Sequence, residues 1–265
     1  MNDTFDPRRF YLLFKKVTLE RPIQIIGVMG LILCFTVILY SLVLYSIDYG
    51  SAQNLSFIWG LAGGGTVLSA FVFNYFNTNA AGAAYLTLPA SVFEKWLCAV
   101  LIAGIFFLLI FLGFYRLMDY CFVTAYHNGL NHDSPLYKNQ YDHVYIYPFL
   151  QNQVVKKVFI IWANLSGVML VGSLYFNKVA IVKVALAACV LAGIIYFLNL
   201  AVASLFFKNI DIAFPYYTVL IKVRSEVGVI NLPHIGSFIV DAFINVIIPA
   251  TLWITALIKL KEKEI

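Results

Sequence analysis

The chain has 265 residues, 62% of them hydrophobic and only 12% charged, with a mean hydropathy of +0.86 and a formal net charge of +5. A water-soluble domain is nearer half apolar and a quarter charged; so few charges cannot cover a water-facing surface, and the bilayer is the expected solvent. The basic residues are scattered or flank apolar runs, which reads as topology signalling and excludes a nucleic-acid partner.

The N-terminal segment, 1–22, contains PRRFYLLFKKVTLE, in which Phe10, Leu13, Phe14 and Val17 recur at helical spacing while Arg9, Lys15, Lys16 and Glu20 face elsewhere. Such a helix is expected to lie along the membrane surface with its cations near anionic head groups. A plain positively charged topology flank explains the same residues. Six apolar runs follow, at about 23–47, 57–76, 97–118, 155–175, 180–206 and 238–260, each near the roughly 20 residues that a helical crossing needs. They are too long and too continuous for barrel strands. The expected fold is therefore an all-α integral membrane protein, one domain over 1–265 with six transmembrane helices. The first run is too long for the apolar part of a cleaved signal peptide and reads as a retained span.

Six spans place both termini on one side, together with eleven of the 18 lysines and arginines; the other seven lie mostly in the two longest loops. The positive-inside rule then makes both termini cytoplasmic. On that topology 77–96 is cytoplasmic, and 119–154 and 208–237 are extracytoplasmic loops. The link around Asn177–Lys178 is short enough to make the fourth and fifth spans antiparallel neighbours.

In the second run Gly60 and Gly64 form a GxxxG pair, a spacing that lets helix backbones approach. No GxxxxGK[ST] phosphate loop occurs in the sequence. Between the second and third runs stands LTLPASVFEKW, 86–96. Pro89 disfavours helix at Leu88, and Ser91 followed three residues later by Glu94 fits a capping box, in which hydroxyl and carboxylate each take up the other residue's amide. The helix then continues through Lys95 and Trp96 into the third span. Upstream, NTNAAGAAYLTL suits a short helix or turn lying flat beneath the membrane.

The first long outer loop holds His127, His132, Asp133, Asp142 and His143. Their spacing fits no zinc site, and the loop reads as solvated chain with tyrosines near the membrane face. Its length suits a cap over an exit path or a docking site for an extracytoplasmic partner. Asn164, Ser166, Asn199, Asn245 and Thr251 are expected to hydrogen-bond neighbouring helices, and Pro249 to kink the last span. No catalytic constellation lies within the spans. No catalytic or metal-binding residue is therefore assigned, and the four cysteines, Cys34, Cys98, Cys121 and Cys189, read as small apolar residues.

LTLPASVFEKW leading into a third span resembles the "LPAS-x-x-EK" signature of bacterial permeases of the ATP-binding-cassette type-two exporter class, in a family of Bacteroidetes-like genomes. GSLYFNKVAIVK, 172–183, is similar to that family's link between the fourth and fifth spans. WITALIKLKEKEI resembles its C-terminal tail, with Ala256 where a tyrosine is usual. The resemblance implies an exporter-type permease in the bacterial cytoplasmic (inner) membrane. It also implies pairing with a second membrane subunit as a homodimer, and a separate ATPase subunit that carries ATP and Mg. It makes 79–96 the ATPase-coupling segment, with Pro89 and Ser91 as its rigid corner and Glu94 and Lys95 as contacts. The alternative from a different class is a non-transporting membrane anchor or a signalling or assembly scaffold.

Overall fold

A computed structural model of the chain describes residues 5–20, 22–133, 135–149, 152–176, 180–207, 210–213, 218–223, 226–231 and 234–264. The link around Asn177–Lys178 and the basic residues Arg21, Lys208 and Arg224 lie outside them. Among the described residues, six helices are long and apolar enough to cross a membrane. They are α2 (Ile23–Ser46), α3 (Tyr49–Val72), α5 (Val92–Asn128), α7 (Gln153–Tyr175), α8 (Ala180–Phe206) and α9 (Gly236–Glu262). Shorter helices precede and separate them: α1 (Pro7–Glu20), α4 (Asn79–Leu86) and α6 (Tyr137–His143).

The spans depart from the expected boundaries for local reasons. Helix α3 begins at Tyr49, eight residues before the apolar run. Asp48 adopts an extended conformation and accepts the amide of Ser51, an N-cap that starts the helix at the turn itself. Helix α5 runs for 37 residues, about 55 Å, against roughly 30 Å of hydrocarbon. Residues 119–128, expected as loop, are thus its continuation. Segment 208–237 is not a plain loop either. It holds a three-stranded antiparallel sheet, β1 (Ile210–Ala213), β2 (Thr218–Val223) and β3 (Glu226–Asn231), with β2 in the middle. The pairing of β2 with β3 runs from Thr218↔Asn231 to Val223↔Glu226. The all-α expectation is corrected to that extent.

Helix α7 packs against α3, α8 and α9, and α3 also packs on α2. Between membrane helices there is little hydrophobic drive, so close van der Waals fit and interhelical hydrogen bonds hold them together. Glycines permit the fit. An added Cβ at Gly60 would stand 2.6 Å from the Phe111 ring and 2.7 Å from the Thr36 hydroxyl, one at Gly64 would collide with Ile32, and one at Gly65 with Trp162. Gly60 and Gly64 therefore sit where α3 meets α2 and α5. Gly60→Leu is expected to destabilise the helix bundle by about 1–3 kcal/mol through overpacking, read as a lowered melting temperature in detergent.

Polar atoms join the spans as well. Trp253 Nε1 donates to Ala163 O at 3.0 Å, Trp96 Nε1 to Trp253 O at 2.9 Å, and Asn164 Nδ2 to Ile244 O at 3.2 Å. Ile244 lies in a π-helical turn, Phe243–Ile247, that immediately precedes Pro249. Pro249, which lacks an amide to donate, follows this turn at the start of the last α-helical stretch. Similar π-helical turns occupy Ile23–Gly27, Trp59–Gly63 and Leu101–Phe106 in α2, α3 and α5.

Candidate functional site

The segment between α3 and α5 builds a polar corner at the end of the molecule that also carries α1 and residues 260–264. Thr78 caps α4 by accepting the amide of Ala81. Helix α4 stops at Leu86, and Leu88, Pro89 and Ala90 turn the chain. Ser91 then caps α5. Its hydroxyl accepts the Glu94 amide at 3.2 Å, and Glu94 Oε2 accepts the Ser91 amide at 2.9 Å, which is the capping box read from the sequence.

The other Glu94 oxygen does something the spacing does not announce. Glu94 Oε1 accepts the backbone amide of Asp6 at 2.8 Å and Arg9 Nη2 at 3.2 Å, and the side chain is fully buried. One carboxylate thus caps α5 and holds the start of α1. Helix α1 runs beside the first part of α5 in the same direction, since Phe5 meets the Phe93 ring at 6.3 Å and Phe14 meets Phe106 at 5.3 Å. Its face of Phe10, Leu13, Phe14 and Val17, expected on a helix lying along the membrane surface, is packed into the protein core at this end. The outward face mixes Tyr11, Leu12 and Leu19 with Arg8, Lys15 and Lys16.

Lys95, the next residue, is also fully buried and turns to the other terminal segment. Its Nζ donates to Leu86 O at 2.8 Å and pairs with Glu264 Oε1 at 2.6 Å. The donor count explains the burial: an ammonium with a carbonyl and a carboxylate in reach is partnered, as a buried charge must be. Beneath it Tyr85 stacks on Tyr75 at 4.7 Å. Burial holds the Tyr85 hydroxyl well above its ordinary pKa, with Cys98, Tyr75 and Glu264 adding. Lys263 lies over the Phe76 ring at 4.4 Å, and burial together with nearby Lys259 lowers its pKa. Pro89 is exposed at the apex, whereas Ser91 is buried with the pair.

A second polar cluster, not foreseen in the sequence, sits at the opposite end. Asp119, expected at the start of a loop, is fully buried on α5. It accepts Tyr40 OH at 3.0 Å, Gln53 Nε2 at 2.9 Å and the Tyr147 amide at 2.7 Å. The neighbouring Gln53 also donates to Tyr145 O, Arg116 Nη1 to Tyr147 O, and Tyr147 OH to Asn54 Oδ1. Burial raises the Tyr147 hydroxyl pKa, with Asp119 and Tyr145 contributing. These bonds fasten the extended stretch 144–149 across the ends of α2, α3 and α5. A sequence signal existed: on a helix extended past Met118, Asp119 lies one turn beyond Tyr115 on the buried face.

Helical membrane proteins with six crossings form the class that this architecture defines, and the chain is a multi-pass member of it. Compared with known proteins, the chain matches no family model, no curated protein and no solved structure.

Proposed function

We propose that the chain is the membrane permease subunit of an ATP-driven exporter in the bacterial cytoplasmic membrane, with both termini cytoplasmic. On this reading it works as a homodimer powered by a separate ATP-binding-cassette subunit. The observation that carries the reading is the corner of α4, Pro89 and the capped start of α5, which stands at the end richest in lysine and arginine. The resemblance of LTLPASVFEKW to exporter permeases supports it.

The geometry refines how such a corner would work. Glu94 and Lys95 face inward, so the surface offered to an ATPase is the outer face of α4, with Asn79, Ala80, Ala83 and Thr87, and the exposed Pro89. Force applied there reaches α1 through Glu94 and the segment that follows α9 through Lys95. Coupling thus runs through two partly buried ion pairs to the segments that flank the first and last spans, a discrete element that partner closure can bias.

A cysteine at Ala83, with the native cysteines replaced, tests this. A cassette ATPase co-expressed from the same genome is expected to co-purify and to cross-link at that position. Reconstituted ATP hydrolysis is expected to respond to cargo. Failure of every cassette ATPase to co-purify or cross-link rejects the reading, and a stable partner with cargo-indifferent hydrolysis favours the scaffold alternative.

A further inference from the structure

The end opposite the termini carries a recess that the exporter reading does not use. The last turns of α5, helix α6 and residues 144–146 line an open recess of about 580 Å³, with Tyr120, His127, Tyr137, Tyr141, Asp142 and Tyr145 among its lining residues. Its walls are held rigidly. The stretch 144–149 is fixed from beneath by Asp119, Gln53 and Arg116, and His127 Nε2 lies 2.9 Å from Val144 O. Helix α6 is held against α5 by a column of rings: His127 on Tyr141 at 4.0 Å, Tyr141 near Tyr137 at 5.9 Å, and Tyr137 on His132 at 4.6 Å. A loop fastened by this many hydrogen bonds presents a preformed surface, which lowers the cost of ordering on binding.

Two lining tyrosines stand apart from that column. Tyr120, on α5, and Tyr145, on the fastened stretch, are 54% and 61% exposed, and neither stacks on another ring among the described residues. Tyrosine faces are electron-rich and attract cations. Asp142 is the one carboxylate in the lining, and no lysine or arginine lines the cavity among the described residues. An anion would meet that carboxylate with only the imidazoles of His127 and His132 in the lining to offset it. A neutral ring could stack on the tyrosines but would leave Asp142 without a counter-charge.

We propose that this recess binds an organic cation, a substituted ammonium group, on the faces of Tyr120 and Tyr145 with Asp142 as its counter-charge. The proposal does not depend on the exporter reading, and its test needs no ATPase.

Choline, its neutral carbon isostere 3,3-dimethylbutan-1-ol and glucose are titrated calorimetrically into the purified full chain. Saturable choline binding is expected, with the isostere and glucose bound at least tenfold more weakly. Tyr145→Ala, Tyr120→Ala and Asp142→Asn are each expected to weaken choline binding roughly three- to thirtyfold. Tyr145→Phe, which keeps the ring face, is expected to retain it. Both tyrosines are largely exposed, so unchanged melting temperatures are expected to show that the variants remain folded. Isostere or glucose binding as tight as choline, absence of choline binding, or choline binding indifferent to all three variants overturns the proposal.

Discussion

Lys95→Met is expected to be among the most damaging single substitutions in the molecule, costing about 3 kcal/mol and lowering the melting temperature by roughly 5–10 °C. Methionine fills the same space but leaves the Leu86 carbonyl and the Glu264 carboxylate without their common donor. Breaking one side of a buried pair is costly because the remaining charge stays where water cannot reach it well. Glu264 keeps 18% exposure, so it can partly rehydrate and the cost falls at the lower end of the range for such pairs. Glu264→Gln alone is expected to cost less, and the double variant little more than Lys95→Met, since both remove one interaction. Opening of the corner can be read directly. With Cys34, Cys121 and Cys189 changed to serine, the buried Cys98 is the remaining thiol, and its maleimide labelling should accelerate in Lys95→Met. Labelling at the parental rate, with an unchanged melting temperature, would show that the pair holds nothing.

Asp119→Leu is the second large effect. The substitution leaves three donors, Tyr40 OH, Gln53 Nε2 and the Tyr147 amide, buried without their acceptor. At about 1–3 kcal/mol for each orphaned group, discounted for local relaxation, a loss of about 3–5 kcal/mol follows. Tyr40→Phe removes one donor and no acceptor need, and is expected to cost about 1.5 kcal/mol. The loss should be localised. Limited proteolysis between residues 129 and 152 is expected to accelerate in Asp119→Leu, while Cys98 at the other end stays protected. Unaltered cleavage there would mean that 144–149 is held by its aromatic packing of Tyr147 and Phe149 on Phe57 rather than by Asp119.

The parts of this molecule that were legible in the sequence are those written in contiguous residues. Twenty-residue apolar runs announce spans because a bilayer permits little else. Ser91 and Glu94 announce a cap because both partners lie within one turn. The partners that define the site are remote in sequence: Arg9 meets Glu94 across 85 residues, and Lys95 meets Glu264 across 169. Nothing local marks a surface glutamate from a buried one, so both residues read as outward contacts until the fold brought α1 and residues 260–264 to them. Asp119 was misplaced because a span was assumed to end where its apolar run ended, whereas α5 continues to Asn128. The small sheet had a usable signal. TVLIKV and EVGVIN are two runs rich in β-branched residues, separated by two residues, which is a hairpin pattern too short to register beside twenty-residue apolar runs.

Glu94 and Lys95 are consecutive on a helix, so their side chains leave the axis about 100° apart. One takes the segment before the first span, the other the segment after the last. Covalently the chain is an open string of helices. The two ion pairs tie its ends together at one dipeptide, beside the Trp96–Trp253 hydrogen bond and the core in which α1, α5 and α9 meet. The segment that leads to the first span and the segment that follows the last are therefore anchored to the same turn of α5.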